Sequence, residues 1–221
     1  MHPGRSDPVK PRPRIVVAIA RVLYRLLLRW TVTGREHVPP DGACILIANH
    51  VHLADPLLLM LAFPRHITFM AKEELFRYPI VGQVLRDAGS FPVSRTGTLQ
   101  QKRDVMRLAE DLLSRGHVLA LFPEGQRSPA GVLLEGKPGA AILARRTGAP
   151  LVPVAIKGTD QITGAWWWTK RPKVTVTIGA PFHLNSTGGR VARSEAARLT
   201  DELMRRVALL LPPERRGVYA D

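Results

Sequence analysis

From residue 31 onward, short apolar runs alternate with segments of helical periodicity. Continuous apolar runs predict strands at 43–49 (ACILIAN), 66–71 (HITFMA), 90–94 (SFPVS), 118–123 (VLALFP), 151–156 (LVPVAI) and 174–179 (VTVTIG). Between them lie predicted helices: one starting at DPLLLMLAF (55–63), then 78–89, 98–115 stopped by Gly116, and 139–148 with a glycine stop. A last helix, 194–211, takes Ser194 as its expected N-cap. Alternation at this spacing predicts a single α/β domain with a largely parallel central sheet flanked by helices. No internal repeat interrupts it.

The first 30 residues follow a different pattern. Residues 1–14 are basic and carry prolines at 3, 8, 11 and 13, which predicts a disordered tail. In residues 15–30, Arg21, Arg25 and Arg29 recur every four positions, and Val22, Leu23, Leu26, Leu27 and Trp30 fill the other faces. The longest uncharged run is six residues, far short of the roughly 20 a spanning helix needs. No apolar stretch precedes a small-residue cleavage site, so a signal peptide fits poorly. The expectation is an amphipathic helix in a membrane interface, with arginines toward headgroups; docking on the protein's own core is the alternative. The domain proper is then 31–221.

Charge narrows the partner. The 221 residues hold 32 Lys and Arg against 18 Asp and Glu, a net +14, which calls for an anionic partner. Nucleic acid is disfavoured, because no zinc-finger, RNA-recognition or helix-turn-helix pattern is present and aromatics are only 6%. Residues 1–30 concentrate seven Lys and Arg against one Asp, which suits an anionic membrane surface better. A lone cysteine, Cys44, excludes an internal disulfide and a cysteine zinc cluster, and inside a buried strand it reads as a core residue. Trp166, Trp167 and Trp168 are expected either to anchor in the interface or to pack against the sheet.

Candidate chemistry clusters at predicted strand ends. Asn49 and His50 end the first strand, and Asp55 precedes Pro56 at a helix start. With a turn between them, the carboxylate can hold one imidazole nitrogen and leave the other to accept a proton near neutral pH. The structural alternative for Asp55 is a plain N-cap. Arg95 follows a short strand, after Gly89, and Glu124, Gly125 and Arg127 follow strand 118–123. Two guanidinium forks and a permissive glycine suit a phosphate. His50, His52 and Asp55 also spell a partial metallo-hydrolase pattern, but the remaining histidines form no ligand cluster.

Together, Asn49-His50…Asp55, Gly89-to-Arg95, Phe122-to-Arg127 and Val152-to-Ile156 resemble, in order and spacing, the four blocks of the glycerolipid acyltransferase family. The flanking stretches 34–39 (GREHVP) and 71–76 (AKEELF) are similar too, and the resemblance covers roughly residues 31 to 180. It implies that His50 is the general base and Asp55 orients it. The acceptor hydroxyl then attacks an acyl thioester on coenzyme A or acyl carrier protein, with no cofactor and no metal. It further implies that Arg95, Glu124, Gly125 and Arg127 bind the acceptor phosphate, with Asn49, Lys72 and Gln126 as further candidates. The implied acceptor is a lysophospholipid, foremost 1-acylglycerol 3-phosphate; glycerol 3-phosphate, another lysophospholipid or a non-glycerolipid alcohol are alternatives. The expected place is peripheral or monotopic, on the cytoplasmic face of the cell membrane. Two positions depart from the family pattern: Gln126 stands where threonine is common, and Ser94 where an acidic residue often precedes Arg95.

Overall fold

Strand β2 (Cys44–Ala48) is buried along its whole length, as an uninterrupted CILIA run requires of a strand covered on both faces. In this computed structural model the described residues are 22, 24–87, 90–93, 97–128, 130–184 and 192–220, with 80, 81, 84 and 87 described by backbone alone. Around β2 stand β1 (Arg29–Thr33), β3 (Ile67–Lys72), β4 (Phe91–Val93), β5 (Val118–Leu121), β6 (Leu151–Lys157) and β7 (Lys173–Ile178). They form one seven-stranded sheet in the order β1-β7-β6-β2-β5-β3-β4. The stretch β6-β2-β5-β3-β4 is parallel throughout. β7 runs antiparallel to β6, and β1 pairs parallel with β7, so these two strands at one side of the sheet run against the other five. The expected largely parallel sheet is what is found.

Alternation along β2 separates the two cores. Ile45 and Ile47 point into one, with α3 (Leu99–Ser114), α4 (Gly139–Thr147) and α6 (Arg193–Ala208) packed over them through Ala109, Leu143, Leu199 and Leu203. Cys44, Leu46 and Ala48 point to the opposite face, where α1 (Asp55–Ala62) lays down Leu59 and Ala62. Each large aliphatic side chain so buried contributes about 1.5–3 kcal/mol. Two further helices are α2 (Pro79–Asp87) and the single turn α5 (Trp167–Lys170).

Helix ends follow local chemistry, with one exception. Thr98 Oγ1 accepts from the Gln101 N–H and Gln101 Oε1 accepts from the Thr98 N–H, a capping box that starts α3. Ser194 does not cap α6: the N-cap is Ala192, and Ser194 is already helical. A second correction concerns residues 15–30. Residues 24–27 are helical, but Arg29 and Trp30 belong to β1, because RWTVT is rich in β-formers and finds β7 as a partner. Residues 1–21 and 23, with the expected tail and half of the expected helix, lie outside the described residues.

Candidate active site

The C-terminal end of β2 delivers the first two residues. Asn49 is buried, and its side chain continues the ladder: Nδ2 donates to the Ile156 carbonyl at 2.9 Å and Oδ1 accepts from the Ile156 N–H at 2.7 Å. This two-bond clamp to β6 fixes the point where the chain leaves the sheet. His50 comes next, and its Nδ1 lies 2.9 Å from Asp55 Oδ2. The Asp55 side chain is fully buried and that of His50 is 16% exposed. The same Oδ2 accepts the backbone N–H groups of Val51 and His52, each at 2.7 Å. Asp55 is therefore no N-cap: Ala54 holds that position, and the carboxylate turns back onto the 50–52 loop. With Nδ1–H donating to an ionised carboxylate, the proton-accepting nitrogen of a neutral His50 is Nε2.

The end of β5 builds the other wall. Phe122 stacks on the His50 ring, with centroids 4.1 Å apart and an interplanar angle of 21°. Glu124 is buried, and both carboxylate oxygens are taken by main-chain donors: Oε1 by His50 N–H at 2.8 Å and Oε2 by Leu134 N–H at 2.9 Å. Those oxygens face backbone rather than open space, which departs from the expected phosphate contact. Glu124 instead ties the His50 loop to the 131–137 segment. Burial pushes its carboxyl up to about 7; the two N–H donors pull against this, and the charge of Asp55 adds to it.

Gly125 sits at φ +66°, and a Cβ there would lie 2.9–3.1 Å from Cδ, Cε and Nζ of Lys137. The glycine thus lets the Lys137 side chain lie over the 122–127 turn. Lys137 is pinned by its own N–H to the Pro123 carbonyl at 2.8 Å. Arg127 is exposed, and the next residue donates its N–H to the His50 carbonyl at 2.7 Å. Burial, then Arg127 and His50, hold the His52 imidazole below the ordinary histidine range, against the pull of Asp55. Among the described residues, neither Arg127 nor Lys137 has a carboxylate partner. The site therefore joins a carboxylate-held imidazole to two unneutralised cations, an arrangement suited to deprotonating a hydroxyl on an anionic molecule.

Other expected residues fall elsewhere. Arg95, Gly89 and Ser94 lie outside the described residues. Lys72, at the end of β3, pairs with Glu74 at 3.0 Å. Gln126 is exposed on the turn. His52 Nδ1 accepts the Ala54 N–H at 3.2 Å, which orients it within the loop. Cys44 is buried, which pushes its thiol up to about 11 and keeps it protonated. The tryptophans divide: Trp167 packs beside Leu28, Leu58, Ile162 and Val174, whereas Trp166 and Trp168 are exposed.

Three residues of this neighbourhood were not anticipated: Phe122 as the platform under His50, Lys137, and Tyr219. Tyr219 is buried, and its hydroxyl accepts the Gly136 N–H at 3.0 Å, while the Arg215 carbonyl accepts the Leu133 N–H at 2.9 Å. The C-terminal residues thus strap the segment that carries Lys137. The one sequence signal for Lys137 is its place between Gly136 and Gly139, just before α4.

Comparison with known proteins places the chain in a family. The family model described as Acyltransferase matches residues 29–157. A 1-acyl-sn-glycerol-3-phosphate acyltransferase of Bacillus subtilis is 29% identical over 177 residues, covering 80% of this chain and 85% of that protein. The chloroplastic enzyme BAT2 of Brassica napus is 29% identical over 180 residues, and the match spans about half of its length (49%). Among solved structures, the 1-acyl-sn-glycerophosphate acyltransferase PlsC of Thermotoga maritima superposes with a TM-score of 0.67 at 30% identity, covering 89% of this chain and 78% of that one. With more than half its length matched by the model, and its sheet shared with a solved member, this chain belongs to the acyltransferase family.

Proposed function

We propose that the protein transfers a fatty acyl group from a thioester, on coenzyme A or acyl carrier protein, to the free hydroxyl of 1-acylglycerol 3-phosphate. The carrying observation is the 2.9 Å contact between His50 Nδ1 and Asp55 Oδ2 beside the unpaired cations Arg127 and Lys137. The Bacillus and Brassica relatives, both named as 1-acyl-sn-glycerol-3-phosphate acyltransferases, support the choice of acceptor.

In this reading His50 Nε2 takes the proton from the acceptor hydroxyl as its oxygen bonds to the thioester carbonyl carbon. The tetrahedral adduct collapses with cleavage of the carbon–sulfur bond, and the thiolate leaves. Asp55 fixes the tautomer and faces the imidazolium while it exists. No enzyme nucleophile is required, because the thioester is already activated, and no cofactor takes part. Arg127 and Lys137 hold the acceptor phosphate, with Arg95 as a further ligand carried over from the family pattern. Glu124 and Asn49 position the His50 loop without touching substrate. The reaction takes place at a phospholipid surface on the cytoplasmic side.

The test is acyl transfer by the detergent-solubilised full chain from labelled acyl-CoA and acyl carrier protein to a panel of lysophospholipids and glycerol 3-phosphate. Product from 1-acylglycerol 3-phosphate, absent with folded His50→Ala, is the expected result. Acylation of every acceptor but that one overturns the acceptor assignment.

A further inference from the structure

We propose that the sheet edge carrying His50 also holds a docking site for anionic phospholipid headgroups, a basic groove between the helical turn at 24–27 and the start of β7, with the exposed Trp166 and Trp168 a few residues before its Arg171 in the chain. This deepens the acyl-transfer reading and rests on it in one respect: a lysophospholipid acceptor arrives from a bilayer.

The strand directions put the groove where it is. Because β7 opposes β6, Lys157 at the end of β6 pairs near the start of β7, opposite Thr175, and Arg29 opens β1 beside Lys173. The beginnings of β1 and β7 therefore share an edge with the ends of β6, β2 and β5, where His50 and the 122–127 turn lie. Had β1 and β7 run with the other five strands, their basic starts would sit on the far side of the domain.

The groove encloses about 520 Å3, and Arg25, Arg29, Arg171 and Lys173 line it together with Trp30. Among the described residues no acidic side chain lines it, and none of these four cations has a carboxylate partner. Arg171 is held in place: its guanidinium donates to the Arg25 carbonyl at 3.0 Å. Its φ of +44° is the one positive value at a non-glycine among the described residues, a conformation an L-residue adopts at a cost of about 1 kcal/mol or more. Four cations around one cavity repel one another unless an anion sits among them.

Exposed apolar side chains neighbour these cations along the chain. Trp166 and Trp168 are 68% and 43% exposed and lie 5.4 Å apart, centroid to centroid, while Trp167 roots the turn in the core. Val22 and Leu26 are likewise exposed. Indoles beside guanidinium groups are the side-chain set that a headgroup layer accommodates, apolar body inward and cation on phosphate. Charge also argues against other occupants. Residues 1–21 add Arg5, Lys10, Arg12, Arg14 and Arg21 against Asp7 alone, and a second copy would present the same cations.

The experiment is cosedimentation of the full chain with phosphatidylcholine vesicles, with and without phosphatidylglycerol, over a salt series. Arg171→Gly with Lys173→Gln, and Trp166→Ala with Trp168→Ala, change exposed positions, and glycine suits the φ at 171, so thermal stability serves as the folding control. Expected is salt-sensitive binding to the anionic vesicles, weakened about fivefold for each cation removed. Turnover of vesicle-borne acceptor should fall in parallel, while turnover of a monodisperse short-chain lysophosphatidate stays at the wild-type level. Equal binding to neutral vesicles, variants that bind as wild type does, or equal affinity for duplex DNA would each overturn the docking site. Vesicle binding with no acyl transfer would overturn the acyl-transfer reading and leave the docking site standing.

Discussion

The carboxylate of Glu124 accepts the backbone N–H of His50 at 2.8 Å, so an acid delivered by β5 fixes the main chain of a histidine delivered by β2. The other oxygen of the same carboxylate holds Leu134, and thereby the segment bearing Lys137. One buried side chain sets the spacing between the proposed base and the proposed phosphate ligands.

Glu124 makes stability depend on pH. Its folded-state value of about 7 lies above the ordinary 4.5, so the folded chain holds the proton more tightly than the unfolded one. The stabilisation is full below pH 4.5 and is lost as pH rises through 7, with a ceiling of about 3 kcal/mol. Glu124→Gln has no such proton to lose. Melting temperatures of wild type and variant, compared from pH 4 to 8, should show wild type losing ground as pH rises. A constant difference across the range would refute the assignment.

Removing the imidazole and removing its carboxylate should have different consequences. His50→Ala takes away a partly exposed ring, and is expected to lower kcat by about 10²–10⁴ with little effect on the fold. Asp55→Ala strands the buried N–H of Val51, along with that of His52, and should cost about 2–5 kcal/mol as well as activity. Urea melts beside steady-state kinetics separate the two; an Asp55→Ala protein as stable as wild type would count against the described loop.

Lys137→Ala and Arg127→Ala should each raise KM for a phosphorylated acceptor about tenfold, the worth of one charge-assisted contact, and leave the KM of the thioester unchanged. Lys137→Arg keeps the charge and should recover part of the loss. A change confined to the acyl donor would move both residues out of the acceptor site.

Gly125→Ala tests the same place without touching a charge. The added methyl meets Lys137 and forces a left-handed conformation on alanine, at about 1–2 kcal/mol. Acceptor KM should rise as in Lys137→Ala, and combining the two should add little, since both displace one ammonium. Strict additivity in that double-mutant cycle would separate Gly125 from Lys137.

The parts of this architecture legible in the sequence were those whose signal is local. The run at 43–49 could only be a doubly covered strand, and His50 and Asp55 sit five residues apart across one turn. β1 was hidden because Arg29 and Trp30 continue the four-residue arginine spacing of the preceding helix, and only the partner strand 144 residues later makes them extended. Glu124 was visible as a residue, but not that both its oxygens would face main-chain donors. Lys137 and Tyr219 reach the site through contacts between segments far apart in the chain, which no spacing rule encodes. The Ser194 expectation failed because the N-cap lies two residues earlier, at Ala192, which leaves the serine inside the first turn.

The pairing of β1 with β7 also has a consequence for the order of events during synthesis. β1 leaves the ribosome first but waits 144 residues for its neighbour, roughly 7–30 s at ordinary translation rates. Through that interval β2, β5 and β6 can already assemble, while the basic and apolar stretch ahead of them has no strand to join. A nascent chain in this state carries β1 with no partner for its backbone N–H and C=O groups. The last strand made is thus the one that joins the first to the rest of the sheet.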